Sequence, residues 1–179
     1  MTIPNCLTIF RILLVPAFLA AFFCFPEQGL WAAGILLLSG VTDVCDGWIA
    51  RKFHQTSQLG KILDPFADKL TQLSVCVCLA IRHKEFIIIL CLLILKEFIM
   101  LIAGFQLIRK GVKLPSSRWF GKVSTVVFYL AMTYIVYQTD ISNLKLAVLA
   151  WISVLFAVAA FIQYIPEYRK LRAQVKDAG

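Results

Sequence analysis

Six apolar stretches constrain this chain more than any other feature in it. They run over residues 6–25, 30–50, 66–82, 86–108, 119–138 and 144–164. Each is close to the roughly 20 residues that a helix needs to cross the hydrocarbon core of a bilayer. The chain is 60% hydrophobic over 179 residues, with a mean hydropathy of +0.82. A soluble domain is nearer to about half apolar. The pattern predicts an all-α integral membrane protein, a six-transmembrane-helix bundle forming one domain over residues 1–179 with no separate soluble module. The first run lacks an A-x-A-like cleavage site and is read as a span, not a removed leader.

Charge predicts the orientation. Fourteen of the 18 Lys and Arg residues fall on one side: Arg11; Arg51, Lys52, Lys61 and Lys69; Arg109, Lys110, Lys113, Arg118 and Lys122; then Arg169, Lys170, Arg172 and Lys176. Three fall on the other side, Arg82, Lys84 and Lys145, and Lys96 lies within the fourth run. The positive-inside rule places the fourteen, and both termini, in the cytoplasm. Contact with anionic membrane lipid accounts for basic clusters of this kind. A net charge of +8 therefore requires no nucleic acid.

The loops are short. Pro26-Glu27-Gln28-Gly29 reads as a tight turn, and Arg82-His83-Lys84-Glu85 closes a hairpin between the third and fourth spans. Asp64 before Pro65 is expected to cap the third helix, and Ser116 or Ser117 after Pro115 the fifth. Cys6, Cys24, Cys45, Cys76, Cys78 and Cys91 lack the C-x-x-C spacing of a zinc or redox site and are expected to be buried, reduced thiols. His54 and His83 stand alone in loops or at helix ends.

Against this apolar background, DVCDGWIARKFHQTSQLGKILDPFADK at residues 43–69 carries four aspartates. Asp43 and Asp46 are three apart, and Asp64 and Asp68 are four apart, so each pair shares a helix face. They fall at the end of the second run and the start of the third. Two antiparallel neighbouring helices would gather them at one membrane depth, where charges are costly and usually functional. Such a cluster can be relieved by protonation, by pairing with Arg51 and lysines, or by a divalent cation. All-oxygen ligands favour Mg²⁺ or Mn²⁺, and Mg²⁺ commonly completes its shell with substrate phosphate. The residues alone suggest a metal-dependent site for a phosphorylated substrate at the cytoplasmic rim. A cation transporter is the other functional reading, although its carboxylates would sit nearer the midplane.

The full pattern is Asp43-x-x-Asp46-Gly47-x-x-Ala50-Arg51, eight residues, then Gly60-x-x-x-Asp64-x-x-x-Asp68. It resembles the signature of the CDP-alcohol phosphatidyltransferase family at every fixed position. The resemblance implies transfer of a phosphatidyl group from CDP-diacylglycerol to an alcohol, with release of CMP. It implies that Asp43, Asp46, Asp64 and Asp68 hold two metal ions, and that Asp68 is also the catalytic base. It implies that Asp43, Gly47, Ala50, Arg51 and Gly60 bind the donor. IPNCLTIFRILLVP and WFGKVST look most like members that use glycerol 3-phosphate, followed by those that use phosphatidylglycerol. Thr8, Arg11, Lys96, Arg109, Arg118 and Lys122 are the candidate acceptor residues. Lys96-Glu97 stands where the glycerol 3-phosphate users more often have Arg-Glu. The family also implies a homodimer in a bacterial cytoplasmic membrane, with its active site facing the cytoplasm.

Overall fold

The computed structural model describes residues 3–52, 60–109 and 119–177. They form six helices: α1 (Ile3–Cys24), α2 (Gly29–Lys52), α3 (Gly60–Arg82), α4 (Phe86–Arg109), α5 (Trp119–Tyr137) and α6 (Asn143–Asp177). The six apolar runs each lie in one helix. Two helices begin or end beyond their run. α3 starts at Gly60, so Asp64 and Pro65 lie inside the helix and Asp64 is not its cap. Gly60, Lys61, Asp64 and Pro65 break up Ile62 and Leu63 and so conceal this start from hydropathy. α6 continues past the last apolar run to Asp177, through Pro166. The expected serine caps of α5, at Ser116 and Ser117, lie outside the described residues.

Two segments, Asn5–Cys24 and Asn143–Gln163, are long and apolar enough to cross a membrane. Gly29–Cys45, Phe86–Lys96 and Gly121–Tyr137 are shorter apolar helical segments. The outer surface matches this character. Leu13, Phe23, Leu30, Trp31, Ile81, Ile88, Phe98, Leu130 and Leu155 are all more than half exposed. Apolar surface on this scale marks a contact with lipid or another protein.

The helices pack in a closed circuit: α1 against α2, α2 against α5, α5 against α6, α6 against α4, α4 against α3, and α3 against α1. This corrects the expectation that α2 and α3 are direct neighbours. Among the described residues they scarcely touch, and α1 stands between them. The core fills the end of the bundle away from the aspartates. Phe18 and Phe22 of α1 meet Leu36 of α2, Leu79 of α3, Phe86 of α4, Met132 and Ile135 of α5, and Leu146 of α6. Gly29 is needed at this end, because a Cβ there would overlap the backbone carbonyl oxygens of Val136 and Tyr137. The start of α2 thus lies directly on the end of α5.

The turns behave as expected. Gln28 donates its N–H to the Phe25 carbonyl at 3.0 Å, closing the α1–α2 turn. Arg82 ties that turn to the end of α3, with its guanidinium 4.2 Å from the Phe22 ring centroid and Nη2 donating to the Pro26 carbonyl at 3.3 Å. In the α3–α4 turn, partial burial and then the neighbouring Arg82 hold His83 below the usual imidazole range. The cysteine expectation is corrected in part. Cys76 and Cys78 are buried, but Cys6, Cys24, Cys45 and Cys91 are exposed on the bundle surface. On a lipid-facing surface a thiol is a small apolar group, so exposure there costs little.

Candidate active site

One face of α1 organises the site. Asn5, Thr8, Arg11, Val15, Phe18 and Phe22 are all buried and recur at steps of three or four residues. The stripe is polar in the first half of the helix and apolar in the second. Its apolar half enters the core, and its polar half faces the ends of α2 and α3 that carry the aspartates.

Arg11 has no exposed surface. A buried guanidinium is stable only when paired, and Arg11 has carboxylate partners on two helices. Nη1 donates to Asp43 Oδ1 on α2, and Nη2 donates to Asp64 Oδ1 on α3. These are charge-assisted hydrogen bonds, the stronger kind. Arg11 therefore supplies the positive charge that the aspartate cluster requires.

Asp68 lies one turn further along α3. Its side chain is 19% exposed against 46% for Asp64, so it sits deeper in the bundle. Gln72 Nε2 donates to Asp68 Oδ2 at 3.2 Å, and Lys69 Nζ lies 3.7 Å from the same oxygen. Asp43 lies within electrostatic reach of both Asp64 and Asp68. The buried Tyr129 of α5 lies within electrostatic reach of Asp68, Asp43 and Arg11, with Thr71 nearby. Thr71 donates its own hydroxyl to the Ala67 carbonyl at 3.0 Å. The Tyr129 ring packs on Gly40, where a Cβ would meet Tyr129 Cδ1 at 3.1 Å.

The remaining expected residues are placed less closely. Asp46, Gly47, Ala50, Arg51, Gly60 and Arg109 belong to described helices, but their side chains lie outside the description, and Arg118 lies outside the described residues altogether. Thr8 is buried one turn from Arg11. Lys96 is half-buried on α4, and Lys122 is exposed in the first turn of α5. Among the described residues, no three acidic, histidine or cysteine side chains converge on one point. The donor chemistry nevertheless fits a hard divalent ion. Two carboxylate oxygens from different helices already share one cation, the Arg11 guanidinium.

Sequence reasoning missed several buried polar groups, among them Asn5, Thr71 and Tyr129. Asn5 was legible in the Asn5-x-x-Thr8-x-x-Arg11 spacing, which puts all three on one face. Tyr129 sits in an apolar run with no local signal of its position.

Over residues 1–162 the chain matches the CDP-alcohol phosphatidyltransferase family, and it belongs to that family. It is 35% identical over 176 residues to the CDP-diacylglycerol–glycerol-3-phosphate 3-phosphatidyltransferase of Rickettsia bellii, covering 96% of this chain and 94% of the relative. It is 29% identical over 168 residues to the protein of the same name from Haemophilus influenzae, covering 91% of each. It is also 38% identical over 129 residues to the cardiolipin synthase (CMP-forming) of Streptomyces coelicolor. That match covers 70% of this chain and 60% of the relative's length.

Proposed function

We propose that this protein transfers a phosphatidyl group from CDP-diacylglycerol to glycerol 3-phosphate and releases CMP, a step in phospholipid synthesis. The observation that carries the reading is the convergence of Asp43 and Asp64, from separate helices, on a single cation. Asp68 follows one turn on along α3 and is the deeper of that helix's two carboxylates. Family membership and the names of full-length relatives support the same chemistry.

In this reading Asp43, Asp46, Asp64 and Asp68 hold two divalent ions, Mg²⁺ or Mn²⁺. Bound ions would neutralise charge on the pyrophosphate and the departing oxygen. Arg51 grips the pyrophosphate with its planar fork. Gly47, Ala50 and Gly60 leave room for the nucleotide, since larger side chains would fill that space. Asp68 takes the proton of the acceptor hydroxyl. The hydroxyl oxygen then bonds to the phosphorus that bears the diacylglycerol, and the bond from that phosphorus to CMP breaks. Arg109, Arg118, Lys122 and Lys96 are the cations available to the acceptor phosphate, and Thr8 lies on the same face of α1 as Arg11.

We place all six helices across a bacterial cytoplasmic membrane, with both termini and the aspartates on the cytoplasmic side and the whole chain as one domain. The charge asymmetry supports this orientation. A rim location suits a donor whose tails lie in lipid and whose nucleotide lies in water. The exposed apolar face of α4, including Ile88, Leu95 and Phe98, suits a second copy of the chain as well as lipid.

A second reading is supported by the similarity to the streptomycete cardiolipin synthase. There the acceptor would be phosphatidylglycerol, with the same aspartate chemistry. The test is CMP release by purified protein given CDP-diacylglycerol, Mn²⁺ and a panel of acceptors. Turnover with glycerol 3-phosphate is the expected result. Turnover with phosphatidylglycerol alone would select the second reading. No CMP release with any acceptor would remove the enzyme reading and leave ion transport.

A further inference from the structure

We propose that Arg11 is a built-in place-holder for the metal: it occupies Asp43 and Asp64 until a divalent ion displaces it, and so sets how tightly that ion binds. This rests on the assignment of those two aspartates as metal ligands. It goes beyond that assignment in giving α1 a role in metal loading.

Three observations lead there. Arg11 is fully buried, and its two terminal nitrogens bond to the two carboxylates separately. The carboxylates belong to helices that scarcely touch each other among the described residues, and the guanidinium links them. The bonded atoms, Asp43 Oδ1 and Asp64 Oδ1, are oxygens of expected metal ligands. A guanidinium and a divalent ion repel at such range and compete for the same lone pairs. A metal ion on those same oxygens would therefore release at least one Arg11 contact. Without metal, the same contacts relieve the repulsion between Asp43 and Asp64. Arg11 is a positioning residue in this role, acting through the carboxylates.

Full-length protein is purified in detergent, stripped of metal and titrated with Mn²⁺ without substrate, with free Mn²⁺ read by electron paramagnetic resonance. Wild type is compared with Arg11→Gln and Arg11→Lys. Arg11→Gln should bind Mn²⁺ at least ten-fold more tightly. Arg11→Lys, which keeps the charge but loses the fork, should fall between. The thermal midpoint of Arg11→Gln should drop without metal, and Mn²⁺ should raise it by more than it raises that of wild type. Equal or weaker Mn²⁺ binding in both variants would overturn the place-holder and leave the metal ligands standing. No Mn²⁺ binding by any of the three proteins would overturn both. If Arg11→Gln does not fold, Arg11→Lys decides: tighter binding than wild type supports the proposal, and unchanged binding rejects it.

Discussion

Arg11 and Asp64 are 53 residues apart in the chain, yet the Arg11 Nη2 donates directly to Asp64 Oδ1. With the matching contact to Asp43, this makes α1 the element that joins the two halves of the aspartate motif. The motif is contiguous in sequence but is assembled in space by a residue outside it.

The first prediction concerns metal. Activity should be lost in excess EDTA and return with Mg²⁺ or Mn²⁺. The basis is a carboxylate cluster with no soft ligand beside it among the described residues. Full turnover in a demonstrably metal-free preparation would remove the two-ion reading.

The aspartates should separate by role. Asp43→Asn, Asp46→Asn and Asp64→Asn should weaken metal binding and abolish turnover. Asp68→Asn should abolish turnover but retain more of the metal and donor binding. Its deeper position and its contact with Gln72 favour the role of base over that of principal ligand. The check is Mn²⁺ binding and CMP release on each variant. A wild-type rate in Asp68→Asn would require another base.

The acceptor phosphate needs cations near the cluster, and the structure already commits Arg11 to two aspartates. The burden shifts toward Arg118 and Lys122. A charge-assisted contact is worth roughly 1.5–3 kcal/mol, and about 1.4 kcal/mol is ten-fold. Arg118→Ala should therefore raise the KM for glycerol 3-phosphate about ten-fold or more, and barely move that for CDP-diacylglycerol. Arg51→Ala should do the reverse. Saturation curves for both substrates decide it, and equal effects of Arg118→Ala on the two would reject this pocket.

Gly29→Ala tests the packing away from the site. The added methyl would press on backbone carbonyls that cannot swing aside. Overpacking of this kind costs about 1–3 kcal/mol, and about 2–4 °C of thermal midpoint per kcal/mol is expected at this chain length. A melting curve in detergent with an unchanged midpoint would show that α2 and α5 can separate there at no cost.

Much of the architecture was legible because hydropathy marks length. The six helices, the turn at Pro26 and the hairpin at His83 all follow from where apolar runs stop. The aspartate pattern was legible because charges in such a chain are few. The neighbours of each helix were not. Leu13 faces outward and Val15 inward, yet both are aliphatic, so composition does not distinguish a buried face from one that faces lipid. The insertion of α1 between α2 and α3 was hidden for that reason. So was the service of Arg11 to Asp43 and Asp64, since nothing local links residues so far apart. The start of α3 was missed because Gly60, Lys61, Asp64 and Pro65 interrupt its apolar residues, and the extension of α6 because its last turns are charged.

The wedged position of α1 has a consequence for synthesis. α1 precedes α2 and α3 in chain order and packs against both, so its place is not complete until α3 has been made. Until then a nascent chain has Asp43 to offer Arg11 but not Asp64. A guanidinium with one carboxylate beside it still leaves half of its planar fork without a partner carboxylate. The full pairing of Arg11 thus depends on α3, because both carboxylates are in reach only once α3 is packed against α1.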